Sequence, residues 1–379
     1  MKKAIRILVA HQVPAARNGG MSRIMGFIHD QVAAAGHSVD YFCADNVPPS
    51  ITGRLARFAF PLLVRRHAIA AAQAGTPYDV INVHEPSSAA ISILKQAAGN
   101  PSVVVTSHGL ERRGWELAKE GKRLGRDGPS LKTRVSYPLT SLWQSSLGLR
   151  HADHVFCLNN EDRDYLINER QLPGQKITRI YPAAKTIYAT AASDRDYTKA
   201  ARLLFAGTWV KRKGTEDLVE AFAVLAGRYR NLELVVLGGG VSEPEVLASF
   251  PESLRGRVRC IQTANEIEAA SVFASADIYL LPSLFEGTPL TLIEAMMSGL
   301  PIVTTATCGM KDVIRDADNG LLVPLRSPQA IVDAVERLLG DVAYRGRLGR
   351  AAQAEALEKY VWEKVAEPVR LVYERICGT

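Results

Sequence analysis

The stretch Ala276-Asp277-Ile278-Tyr279-Leu280-Leu281-Pro282-Ser283-Leu284-Phe285-Glu286-Gly287-Thr288-Pro289-Leu290-Thr291-Leu292-Ile293-Glu294 reads as a strand, a loop and the opening of a helix. Ile278–Leu281 is the apolar strand, and Pro282, Gly287 and Pro289 punctuate the loop. Proline lacks an N–H, so Pro289 suits a first helical turn. A helix is predicted over Leu290–Ser298, with Leu290, Ile293 and Met297 on one stripe and Leu292 and Met296 making the other face apolar. Glu294 lies beside Leu290 on that stripe, where a carboxylate is costly unless hydrogen-bonded. A pair of ribose hydroxyls would satisfy it; so would a nearby Arg or a path to solvent. The helix start offers unpaired N–H groups and the positive end of a dipole, which suit a diphosphate. Gly287 lets a ligand approach the backbone closely.

The same alternation of short apolar runs and amphipathic stretches extends both ways, the pattern of parallel sheets with helices on both faces. Strands are predicted at Ile5–Ala10, Ser38–Phe42, Val80–Val83, Val103–Thr106 and His154–Leu158 in the first half. In the second half they fall at Leu203–Ala206, Leu234–Leu237, Val258–Ile261, Ile278–Leu281, Ile302–Thr304 and Leu321–Val323. Helices fall between them, among them Glu216–Arg228 and Pro328–Leu339, and one leads from the Gly-rich turn to near Gly36. The chain has 379 residues, too many for one ordinary core, so two α/β domains are expected. Tyr181–Lys199, rich in Ala, Thr and charge, is the best linker candidate. Open parallel sheets bind ligands beyond the C-terminal ends of their strands, so two such domains facing each other would make a deep cleft.

Three further constellations sit at predicted strand ends. In Leu204-Phe205-Ala206-Gly207-Thr208-Trp209-Val210-Lys211-Arg212-Lys213-Gly214, three cations follow the strand. They can neutralise a diphosphate leaving group without a metal, or they form a solvated basic loop. In Val104-Val105-Thr106-Ser107-His108-Gly109, the histidine can bond a sugar hydroxyl or shuttle a proton, or merely cap the strand. His84 in Val83-His84-Glu85 has the same placement and the same two readings. The turn Asn18-Gly19-Gly20 lacks the GxGxxG spacing and the acidic residue of a nicotinamide site.

The net charge is +7, which suggests an anionic partner: nucleotide phosphates, an anionic lipid surface or nucleic acid. No basic–aromatic repeat, zinc-finger spacing or RNP-like run is present, which argues against nucleic acid. From Asn46 to Tyr78 there is no acidic residue, while Arg54, Arg57, Arg65 and Arg66 interleave with Leu55, Phe58, Phe60, Leu62, Leu63 and Val64. Such a segment can lie on an anionic membrane or form a solvated surface helix. Glu111–Arg134 reads as a long, polar loop that is either simply flexible or closes over a ligand. The five cysteines are scattered without CxxC spacing, against a disulfide framework or zinc site and in keeping with a reducing compartment. The N-terminal apolar run is too short to span a membrane and reads as a first strand, not a signal peptide. No other stretch is long enough to cross.

Taken together, these motifs resemble the retaining family 4 glycosyltransferases of the GT-B fold, from Gly19-Gly20 through His108 to Trp362. The most specific part is Ala276 to Pro301, where Glu286 and Glu294 match the family's two-glutamate motif. Lys213-Gly214, Gly238-Gly239-Gly240, Gly299-Leu300-Pro301 and Asn319-Gly320 agree. The resemblance implies two Rossmann-like doubly wound domains facing across a cleft. Residues 1–183 would form the acceptor-side domain, residues 184–361 the donor-binding domain, and a helix over 362–379 would pack back on the first. It implies a metal-independent, retaining transfer with no cofactor beyond the nucleotide-diphosphate sugar (UDP- or GDP-), onto an acceptor hydroxyl. A glycan or lipid-linked acceptor of the cell envelope is expected, with the protein cytoplasmic and peripheral at the inner face of the membrane.

Roles follow residue by residue. Glu294 would hold the ribose, Glu286 would contact the transferred sugar, and Lys213 with Arg212 would stabilise the leaving phosphate. His108 would sit on the sugar side. Gly20, Gly207 and the backbone of Gly287, Thr288, Pro289 and Leu290 would approach the donor. The family often carries an Arg directly after the glycine that ends the second domain's first strand. Here Thr208 stands there, leaving Arg212 to supply the guanidinium. The junction reads Tyr181-Pro182-Ala183-Ala184 where the family often has Asn-Gly-Val-Asp. Two rivals stand beside this reading: a sugar-nucleotide epimerase or hydrolase on the same fold, and a non-catalytic sugar-nucleotide-binding scaffold.

Overall fold

The computed structural model describes residues 3–16, 19–123, 128–263 and 265–378, with Arg54 described by its backbone alone. Asn18 of the predicted Gly-rich turn lies outside the described residues. The chain divides into two compact units, Met1–Tyr181 with Trp362–Thr379, and Pro182–Val361.

The first unit is a six-stranded parallel sheet of β1 (Arg6–Ala10), β2 (Ser38–Phe42), β3 (Val80–His84), β4 (Ser102–Thr106), β5 (His154–Cys157) and β6 (Ile177–Arg179). Their spatial order is β2-β1-β3-β4-β5-β6. Val- and Ile-rich strands suit a sheet covered on both faces, and every residue of β3 is buried. Helix Gly53–Gln73 covers one face with Phe60, Val64 and Ala68, packed on Leu8, Ile81 and Val103. Full burial of a side chain such as Phe60 is worth roughly 1.5–3 kcal/mol, enough to hold the helix while its basic face stays wet. The helix Trp362–Cys377 belongs to this unit and packs on helix Gly20–Ala34. Its buried Tyr373 hydroxyl meets His29 Nε2 at 2.9 Å and accepts from Asn82 Nδ2 at 2.7 Å.

The second unit repeats the plan with β7 (Arg202–Ala206), β8 (Glu233–Leu237), β9 (Val258–Ile261), β10 (Ile278–Leu281), β11 (Ile302–Thr305) and β12 (Leu321–Val323). Their order is β12-β11-β10-β7-β8-β9. Each sheet is therefore Rossmann-like, and each has a point where the chain's direction of travel across the sheet reverses. That point lies between β1 and β3 in one unit and between β7 and β10 in the other.

Two expectations need correction. Most of the proposed linker Tyr181–Lys199 is built into the second unit. Ala183, Ala184 and Tyr188 are buried, and Ala184 N–H donates to Tyr360 O at 3.0 Å. Its low aliphatic content reflects close packing by small residues, with Tyr188 filling the space. The Glu111–Arg134 segment is also not a long loop. It forms helices Glu111–Arg123 and Leu131–Tyr137, the first seating Trp115 in the core, with residues 124–127 outside the description. Strand β6 went unseen because Ile177 is its one large aliphatic residue.

Candidate functional site

In the second unit two separately read constellations, the cationic loop after β7 and the Glu286 loop after β10, come together at the reversal point between β7 and β10. This is where open α/β sheets take ligands, beyond the carboxyl ends of the strands. Gly207 ends β7 at φ +135°, a conformation that favours glycine, and the chain continues into a short 3₁₀ turn, Lys211–Lys213. Gly214 follows at φ +70°, and a Cβ there would lie 1.9 Å from the Pro282 carbonyl oxygen. Only glycine lets the loops after β7 and β10 approach this closely. They are stitched together by Leu284 N–H donating to Arg212 O at 2.8 Å and by Arg212 Nη1 donating to Phe285 O at 2.6 Å.

That contact delivers two cations to one carboxylate. Lys213 Nζ lies 2.8 Å and Arg212 Nη1 2.9 Å from Glu286 Oε1. Glu286 and Lys213 are buried, whereas the Arg212 side chain is half exposed. Burial pushes the Glu286 carboxyl up, but Lys213 and then Arg212 outweigh it and hold it below its ordinary value. In this arrangement Glu286 is an ionised partner of the cations. A diphosphate arriving here would compete with it for the same N–H groups.

The loop after β10 then runs through buried Thr288 to Pro289, which sits just before helix Leu290–Met297. A third loop, after β11, closes on it. Gly309 N–H donates to Gly287 O at 2.9 Å, and a Cβ at Gly309 would lie 2.1 Å from Thr288 Oγ1. Gly309 was missed in the sequence because nothing near it marks a site.

Glu294 is buried, as its apolar helix requires. Its Oε1 accepts the Tyr188 hydroxyl at 2.9 Å. An expected polar partner exists, and Tyr188 supplies it. No local signal in the supposed linker pointed to Tyr188.

In the first unit His108 lies after β4, with its Nε2 3.2 Å from Nδ1 of His84 at the end of β3. His11, just past β1, has its ring centroid 5.5 Å from that of His84. Three adjacent strands thus each end in a histidine. Burial lowers all three, and neighbouring imidazoles lower His84 and His108 further, with His108 reaching about 4. They are neutral at pH 7. Gly20 opens helix Gly20–Ala34, and a Cβ there would meet nothing within 4 Å. Close backbone packing therefore does not require glycine at that position.

Among the described residues, no three His, Cys, Asp or Glu side chains gather as a metal-ligand set. No helix there is long and apolar enough to cross a membrane.

Comparison with known proteins gives two family matches in succession. Residues 18–186 match the model for Glycosyltransferase Family 4, and residues 191–355 match Glycosyl transferases group 1. The phosphatidyl-myo-inositol mannosyltransferase of Mycobacterium leprae is 28% identical over 304 residues, 79% of this chain and 74% of the relative. Among solved structures, sucrose-phosphate synthase from Thermosynechococcus elongatus aligns with a TM-score of 0.77 at 22% identity, covering 98% of this chain and 99% of that one. Anabaena HepE in complex with UDP-glucose aligns with a TM-score of 0.69 at 15% identity, covering 98% and 100%. Two Rossmann-like sheets, with family matches over both halves, place the chain in glycosyltransferase family 4, on the GT-B fold.

Proposed function

We propose that the chain moves a sugar from a UDP- or GDP-sugar to an acceptor hydroxyl, with retention and without a metal or other cofactor. The observation that carries this reading is the junction of Lys213, Arg212 and Glu286 at the reversal point of the second sheet. Two cations on a buried carboxylate are preorganised positive charge, and such charge stabilises a leaving diphosphate without reorganisation. On binding, the phosphates take the cations, and Glu286 is released toward hydroxyls of the transferred sugar. Gly207 and the backbone of Gly287, Thr288, Pro289 and Leu290 line the approach. Glu294 holds the ribose through Oε2, with Tyr188 fixing Oε1. His108 works on the sugar side, and Gly20 lets the first unit's N-terminal loop approach. On this reading the second unit is the donor domain and the first the acceptor domain.

The acceptor is a cell-envelope or lipid-linked glycan, and the protein works from the cytoplasm against the inner face of the membrane. Helix Gly53–Gln73 exposes Leu55, Phe58 and Leu62 on a segment that also carries Arg57, Arg65 and Arg66. Leu131, Val135, Leu139 and Trp143, four residues apart, are exposed as well. Apolar side chains among cations suit an anionic bilayer surface. Co-sedimentation with anionic vesicles but not with neutral ones supports this contact, and equal recovery from both refutes it.

The test of function is a panel of UDP- and GDP-sugars with and without an envelope lipid extract. Nucleoside-diphosphate release that depends on the extract supports the transferase. Release without it indicates an epimerase or hydrolase, and binding without turnover indicates a scaffold. An anomeric product assigned by NMR as inverted relative to the donor refutes retention.

A further inference from the structure

The first unit holds a buried carboxyl that the proposed transfer does not use. Glu85 follows β3 directly, and its Oε1 accepts the Glu111 backbone N–H at 3.3 Å and the Ser145 hydroxyl. Its Oε2 is buried, and the Ser107 hydroxyl lies close enough to act on the carboxyl. Glu111 begins helix Glu111–Arg123, so Glu85 satisfies one of the N–H groups that a helix start leaves unpaired. The preceding N–H, of Leu110, goes to Asp162 Oδ2 at 3.3 Å, while Arg113 Nη1 holds Asp162 Oδ1 at 2.6 Å. Ser107 N–H donates to Phe156 O at 2.9 Å. His108 is thus carried on a segment pinned at both ends, and its ring meets His84, the residue before Glu85.

We propose that His84 and Glu85 are positioning residues for His108, His84 acting on the imidazole and Glu85 on the backbone that carries it. The inference rests on the reading in which His108 works on the transferred sugar. Two neutral imidazoles 3.2 Å apart hold one proton between them, one ring nitrogen donating and the other accepting, so the tautomer of each ring is tied to that of the other. The groups facing Glu85 are Glu111 on helix Glu111–Arg123, Ser107 on the loop after β4, Ser145 on helix Trp143–His151, Asp162 on helix Asn160–Asn168 and Tyr137 on helix Leu131–Tyr137. Arg57 is the cation that acts on Tyr137.

Burial first, then Glu111, raise the Glu85 carboxyl to about 7, whereas His108 is pushed down to about 4. On this proposal the transfer rate carries an inflection near pH 7 that follows Glu85, whose carboxyl is tied to the His108 segment through the Glu111 N–H. Protonated Glu85 holds the Glu111 N–H without charge. Ionised Glu85 is repelled by Glu111 and Asp162 and loosens the segment, so the rate falls as pH rises through that value.

The test uses the full chain with ¹⁵N-labelled histidine, as wild type, Glu85→Gln, Glu85→Ala and His84→Gln. In wild type below about pH 6, and in Glu85→Gln from about pH 8 to about 5.5, NMR is expected to show His108 as one neutral tautomer. In Glu85→Ala and His84→Gln it shows a mixture. Turnover is read as UDP release from UDP-glucose or GDP release from GDP-mannose, whichever the chain uses. Glu85→Ala lowers kcat by about tenfold with donor KM within about twofold. Glu85→Gln retains activity and loses the inflection. An unaltered His108 tautomer in both Glu85→Ala and His84→Gln overturns the proposal, as does superposition of the wild-type and Glu85→Gln profiles. If Glu85→Ala does not fold, the Glu85→Gln profile decides alone. Unchanged turnover in His108→Ala would instead remove the reading beneath the proposal, and the NMR result would stand apart from it.

Discussion

Glu286 and Glu85 are both glutamates on loops directly after a strand of a Rossmann-like sheet, and their charges are driven opposite ways. Glu286 faces Lys213 and Arg212 and is held below its ordinary value. Glu85 faces Glu111 and Asp162 and is raised to about 7. Burial raises both; the sign of the neighbours decides the outcome. One carboxyl is a permanent anion that keeps two cations in place. The other is a neutral hydrogen-bonding group that becomes charged only across the physiological range. The difference separates a place built for charge from a place built for alignment.

The comparison breaks most visibly if the cations at Glu286 are dispensable. Lys213→Ala is expected to lower kcat by about 10²–10³-fold, the usual cost of removing one preorganised electrostatic group. Steady-state nucleoside-diphosphate release checks this, and a loss below about threefold would make the basic loop ordinary surface.

The next largest effect is on stability against pH. A carboxyl raised in the folded state binds more protons folded than unfolded, so its contribution is full below about 4.5 and is lost as pH rises through about 7. For Glu85 that is about 3 kcal/mol. Glu286 has the opposite sign. Its contribution is present above its unfolded value of 4.5 and lost as pH falls through its lower folded value. The buried histidines His84 and His108 also favour higher pH, since folding keeps them neutral. The informative quantity is therefore the difference between Glu85→Gln and wild type in denaturant melts. The variant should gain on wild type as pH rises from about 5 to 8. A constant difference would mean that Glu85 titrates normally.

A smaller effect separates the two ends of the proposed donor. Tyr188→Phe removes the donor to buried Glu294 Oε1 and should cost about 1–3 kcal/mol of stability in the same melts. Glu294→Ala should weaken UDP or GDP binding about tenfold and leave inorganic pyrophosphate binding unchanged by calorimetry. Equal losses for both would remove Glu294 from the ribose. Smallest is the stability effect of Arg212→Ala. The side chain is half exposed, so solvent screening limits its ion pair to about 0–1 kcal/mol.

Much of this was legible in the sequence where the signal is local. Most strands stood out because buried parallel strands are runs of Val, Ile and Leu. Glu294 stood out as a carboxylate on an apolar helix. The Lys213–Arg212 loop and the Glu286 loop were visible separately, but their meeting depends on the glycine at 214 and on strand order, which no spacing reveals. Tyr188 was hidden because its partner lies over a hundred residues away. Glu85 was in plain view beside His84. Its significance comes from Glu111 and Asp162, which only the fold brings to it.

The most direct test of the central claim is calorimetric titration of wild type and Lys213→Ala with UDP and with GDP. The account predicts that wild type binds one of the two in a defined one-to-one isotherm, and that Lys213→Ala loses most of that affinity. Binding of neither nucleotide, or binding that survives Lys213→Ala unchanged, would contradict it.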